Sequence, residues 1–391
     1  MPRMKKTNLS RNASALCQLA AKILEAGGFW ERQFLIDSLL KKVELRLNRA
    51  DDAALEDALN FLADEAPNAH DILADIVEAA SEIPKPKPAL KNLHCQLIAC
   101  PVLAWSRYSV PGGKLSREFL RDFGAVFLEN IASPNVRHLI LGNFLLSPDE
   151  LPQSFSQIYA LSNQFADKKK DSQKFSIFDL KIKDSPKNEF LSDVRFVLAL
   201  LVVEKGQPLF IWQDDPKITR EIVAAIWAEK SRKVFAPALV GAMYQPLLPA
   251  SFNAACRQSD LESRGYALDS AIQFLKESLH ILPEQMRVIV AYCYSRQGEE
   301  YRISLATHHG HVLYGVVWPM LPGENDEGEV LSEIQEIAKK HRILGFNVLN
   351  ERLPLEFCDD CGSPLFPTLS GEFLHPQMPQ QADLIGENVL N

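Results

Sequence analysis

Cys358-Asp-Asp-Cys361-Gly-Ser-Pro is the segment whose residue types and spacing most directly permit chemistry. Two cysteines separated by two residues let both sulfurs converge on one centre, at about 2.3 Å each for zinc. The trailing glycine permits the tight turn that a metal knuckle needs. The chain has no second C-x-x-C, so further ligands must come from elsewhere. His375, roughly 14 residues beyond Cys361, is the expected third ligand. Cys256 or a second subunit would supply another. Two other readings stand beside this structural zinc site. A redox pair is disfavoured, because Gly362 and Pro364 oppose the helix that usually follows a reactive C-x-x-C. Asp359 and Asp360 would also raise a thiol pKa rather than lower it. The third reading is a plain loop with two unligated cysteines.

Other chemistry-bearing residues read more simply. Thr307-His308-His309-Gly310-His311 resembles a metal cluster in isolation, but it aligns with Glu204-Lys205-Gly206-Gln207 and reads as an exposed hairpin turn. Adjacent histidines on an extended backbone also point to opposite faces. Lys168-Lys169-Lys170-Asp171 reads as a solvated loop end. The sequence contains no G-x-x-x-x-G-K-[ST], G-x-S-x-G or H-E-x-x-H, and no G-x-G-x-x-G after a strand. The common nucleotide and hydrolase candidates are thereby removed.

The 391 residues are 47% hydrophobic and 24% charged, an ordinary globular composition. A formal net charge of −8 argues against a general nucleic-acid or anionic-membrane binder. No apolar run approaches the ~20 residues of a membrane helix. The N-terminal stretch lacks the continuous apolar core of a secretory signal, and seven scattered cysteines form no disulfide framework. These features predict a cytoplasmic protein with reduced thiols.

The elements that must position the cysteines begin with a helical front end. Leu16, Leu19, Ala20, Ile23 and Leu24 predict one apolar stripe, and Phe34, Leu35, Leu39 and Leu40 begin another. Gly27-Gly28 separates them. A third helix carries Leu55, Leu59 and Leu62 and ends at Pro67-Asn68; a fourth covers 72–83. Pro84-Lys-Pro-Lys-Pro then reads as a stiff linker.

Beyond the linker, three ordered fragments recur. PVLAW, PLFIW and YGVVW end at Trp105, Trp212 and Trp318, at intervals of roughly 106 residues. All three tryptophans read as core. Helix starts follow, with Ser116, Thr219 and Ser332 as N-caps. Leu-Pro-x-x-Phe comes next, at Leu151, Leu248 and Leu353. Each unit predicts hairpin, helix, strand and a second helix, with buried strands over 194–203 and 286–294. The expected fold is α+β (mixed α/β): a helical domain over 1–83, a linker over 84–90, three related units over 91–190, 191–280 and 281–370, and a tail over 371–391. The third unit carries the zinc knuckle in place of its second helix.

Pro101–Trp105, Val317-Trp318-Pro319 and Cys358–Pro367, behind a helical front end, resemble a bacterial family known as a domain of unknown function. That resemblance implies a cytoplasmic bacterial protein with no assigned activity, and it carries over no catalytic residues. The expected role is a binding or assembly module for a protein or small-molecule partner. The alternative is a hydrolase or transferase with a metal-assisted site between units.

Overall fold

The computed structural model describes residues 9–85, 92–168, 174–182, 194–295, 298–321, 323–324 and 327–377. The basic start over 1–8, most of the expected linker (86–90), Lys169-Lys170-Asp171 and the tail from 378 onward lie outside the described residues.

Four helices form the front end: α1 (Arg11–Glu25), α2 (Phe29–Asn48), α3 (Asp52–Glu65) and α4 (Pro67–Glu82). Ser10 opens α1 by accepting a hydrogen bond from the Ala13 amide at 3.1 Å. Leu16, Ala20, Ile23, Leu39, Leu55, Leu62, Leu73 and Val77 make the bundle core. Two details differ from the sequence pattern. Leu24 and Phe34 are exposed, because the buried stripes are rotated toward Cys17 and Val43. Pro67 starts α4 rather than ending α3; at the first helical position its missing N–H would have had no partner anyway.

A six-stranded sheet follows. It holds β1 (Leu93–Trp105), β3 (Val136–Gly142), β5 (Phe175–Phe178), β6 (Val194–Glu204), β7 (Met243–Pro246) and β8 (Ala250–Ser251); β2 (Gly113–Lys114) and β4 (Phe144–Leu145) pair separately. The order is β5-β3-β6-β1-β7, with β8 also on β1. β1 and β6 are buried on both faces, which explains their unbroken apolar runs. One face carries α5 (Arg117–Asn130), the short α7 (Ile211–Asp214) and α8 (Arg220–Phe235). Ser116 and Thr219 cap α5 and α8 as expected, accepting from Phe119 and Ile222 amides. Phe123 meets Trp227 edge-on at 5.5 Å between them. The other face carries α6 (Phe155–Asp167) and the start of α9 (Phe252–Glu277).

The second sheet comprises β9 (Met286–Tyr294), β10 (Glu299–Thr307), β11 (Val312–Pro319), β12 (Gly345–Val348) and β13 (Leu353–Pro354), in the order β11-β10-β9-β12 with β13 also on β9. The later part of α9 and α10 (Glu327–Lys340) cover it. A two-stranded hairpin, β14 (Phe366–Pro367) and β15 (Phe373–Leu374), follows this sheet. The architecture is mixed α+β.

The recurrent landmarks do not occupy matching places. Trp105 ends β1 and Trp318 lies near the end of β11, both buried. Trp212 instead sits in α7, half-buried and stacked on Phe210 at 4.4 Å. Ser332 lies inside α10, not at its start. The segments 91–190 and 191–280 are not separate bodies, because β3 lies beside β6 and β7 beside β1. Each segment thus contributes a strand that pairs with the first strand of the other. Helices do open at two of the Leu-Pro-x-x-Phe sites, where α6 and α9 both begin at the phenylalanine.

Both of those helix starts receive a carboxylate from the front-end bundle. Asp52 accepts from the Ser156 amide at 2.9 Å, at the start of α6. Glu82 accepts from the Asn253 amide and side chain at 2.7 Å each, at the start of α9, and from Gln96 at 2.5 Å. Orphan N–H groups and the positive end of a helix both favour an anion there.

Candidate metal centre

The third Leu-Pro-x-x-Phe does not open a helix. Leu353-Pro354 adds to β9 as β13, Phe357 bridges Pro364, and a tight loop lies between. The Cys358 amide donates to the Ser363 carbonyl and the Gly362 amide to the Cys358 carbonyl, both at 2.8 Å. Gly362 takes φ 69°, the left-handed region that a side chain disfavours. The β14–β15 hairpin then returns the chain, placing His375 beside Cys361 with Nε2 3.4 Å from Sγ. One ligand atom from each of Cys358, Cys361 and His375 lies within 4.8 Å of the others. A tetrahedral zinc ion with bonds of about 2.0–2.3 Å fits donors at such separations.

The second layer of contacts favours ligation. His375 Nδ1 lies 3.0 Å from the Pro376 carbonyl, so in the neutral ring the Nδ1 proton is donated there and Nε2 keeps its lone pair. That backbone contact, and then Cys361, raise the His375 pKa. The Ser363 hydroxyl and backbone, and then His375, pull the Cys361 thiol down to about 7. The expectation that Asp359 and Asp360 raise a thiol pKa fails at Cys361, because direct hydrogen bonds outweigh exposed charges. The remaining suggested ligand, Cys256, sits on α9 near Glu82, where burial pushes its thiol up to about 12.

Sequence reasoning missed the residues that hold the knuckle in place. Arg302 of β10, 1% exposed, donates to the Leu365 carbonyl at 3.1 Å, pairs with Glu300 and lies over the rings of Phe357 and Phe366. Ser304 donates to the Pro367 carbonyl at 2.6 Å. Phe366 fills the space above Gly315 of β11 so closely that a Cβ there would fall 2.3 Å from its ring. A glycine inside a strand was the available signal, since it often marks a close approach. His308, His309 and His311 lie on the exposed β10–β11 turn, with Gly310 at φ 89°.

An open cleft of about 820 Å³ lies where the end of β1 meets α9. Trp105 and Phe274 line its floor, and Arg107, Tyr108, Gln273 and Glu277 contribute polar edges. Among the described residues that line it, Glu277 is the one carboxylate and there is no histidine or cysteine. Among the described residues, no helix is long and apolar enough to cross a membrane.

Fold and knuckle together define a mixed α+β protein with a candidate Cys2His centre. Residues 2–387 match the family described as a protein of unknown function, DUF2863, and the chain belongs to that family. No curated protein and no solved structure matches it.

Proposed function

We propose that this is a binding or assembly protein that docks a partner protein on the exposed end of α2. The observation that carries this reading is a group of three aromatic side chains in open water. Phe29, Trp30 and Phe34 are 72%, 81% and 71% exposed within six residues. Trp30 and Phe34 are four apart and share one helix face, the spacing used by helices that dock into apolar grooves. Exposed aromatics of this size carry a large desolvation gain on burial. The cleft at Trp105 lacks the paired acids or acid–histidine set that acid–base catalysis would use, so it does not favour the hydrolase or transferase alternative.

Photo-crosslinking tests the docking. With p-benzoylphenylalanine in place of Gln33, which is exposed beside the triad, the protein should capture a species of discrete mass in cells. The adduct should vanish when Trp30→Ala and Phe34→Ala are introduced together. The same adducts from a probe at exposed Lys205 would sink the reading.

Zinc is the proposed structural cofactor, held by Cys358, Cys361 and His375. Metal binding would couple the three ligands to the folding of the knuckle. Purified protein should carry close to one equivalent of zinc. Cys358→Ser should lose the metal and lower the thermal midpoint, with no change around Trp105. Less than about a tenth of an equivalent, with chelator leaving stability unchanged, would refute zinc binding.

A further inference from the structure

Structural zinc sites are almost always four-coordinate, and among the described residues three ligands come together here. Cys256 does not join them, and among the described residues no other Cys, His, Asp or Glu does. Cys361 and His375 are exposed, so the uncovered side of the centre faces water.

We infer that the zinc centre, on the reading above, keeps its fourth position for a ligand from outside the chain, and that this ligand is a neutral imidazole. Charge selects it. Two thiolates cancel the dication, and Asp359 and Asp360, both exposed in the same loop, add negative charge around the centre. An anionic ligand meets that charge as repulsion. A neutral nitrogen donor avoids it and suits a borderline-soft ion. Water fills the position in the isolated protein. A histidine of a docked partner replaces it, so the knuckle gains a contact that both completes the metal and fixes orientation.

Cobalt(II) substitution of the full-length protein tests this through visible absorption. The expected result is one equivalent of bound cobalt whose bands shift saturably with imidazole, at least tenfold more tightly than with azide. Asp359→Asn with Asp360→Asn should narrow that preference while leaving cobalt binding intact. Bands that respond to neither ligand would show that the chain fills the position itself, overturning the inference while sparing the zinc reading. Azide binding as tightly as imidazole overturns the neutral-donor assignment. No cobalt or zinc uptake overturns the inference and the zinc reading together.

Discussion

Gly315→Ala should displace the C-terminal knuckle and weaken the metal binding proposed for it. The added methyl would lie 2.3 Å from the Phe366 ring, far inside contact distance, and Phe366 is itself only 5% exposed. Overpacking of this kind costs about 1–3 kcal/mol. Phe366 cannot swing away without loosening its own strand, since the Leu365 and Pro367 carbonyls on either side of it accept from Arg302 and Ser304. The loss should therefore appear as faster amide exchange over residues 353–377 and, on the proposed zinc reading, as weaker zinc retention against a chelator. Phe366→Ala alone should cost about 3–5 kcal/mol through the cavity it leaves. Combined with Gly315→Ala it should cost less than the two separately, since the methyl then occupies space the ring vacated. Strict additivity would refute the contact.

Glu82→Ala should be the most damaging substitution at the junction between the bundle and the sheets. Three donors converge on this buried carboxylate, one of them a backbone amide at the start of α9. Leaving them unanswered costs about 2–4 kcal/mol, read as a lower urea midpoint. Its pH dependence is also distinctive. Burial, opposed by the Asn253 and Gln96 hydrogen bonds, raises its pKa to about 7 from an ordinary 4.5. The folded state therefore holds the proton more tightly than the unfolded one. The stabilisation from this group is complete below the ordinary value and is lost as pH rises through about 7. Between pH 5 and 8 the wild-type protein should lose up to about 3 kcal/mol from this residue. Glu82→Gln cannot ionise and should flatten that slope. Parallel urea curves for both proteins at each pH would rule the assignment out.

Much of the element content was readable because buried strands and capped helices leave strong local marks. β9 spans the expected residues, and Ser116 and Thr219 cap the helices assigned to them. Cys358, Cys361 and His375 were legible as a set because ligand chemistry restricts residue type and spacing. Strand order was not legible. An apolar run such as Val194–Glu204 identifies a buried strand, yet it says nothing about which neighbour pairs with it. The strand exchange between β3 and β7 lies in that unmarked choice. Trp212 misled for a related reason: Phe210-Ile211-Trp212 has strand-like composition, but the Phe210 and Gln213 contacts turn it into a helix. Arg302 carries no mark of its role in the sequence, and only the fold brings the knuckle across it.

Exchange of strands between the two segments also sets a timetable. β1 leaves the ribosome with side chains that end up buried on both faces, yet its partners in β6 lie roughly 90–110 residues downstream. At about 5–20 residues per second, that partner arrives roughly 5–20 s later. Throughout this interval a thirteen-residue apolar strand has both edges open while the finished helical bundle waits ahead of it. β7, on its other side, arrives later still. The nascent chain is thus exposed to wrong pairing for longer than a fold built from successive self-contained units would be, and chaperone demand should peak while residues 105–194 are being made.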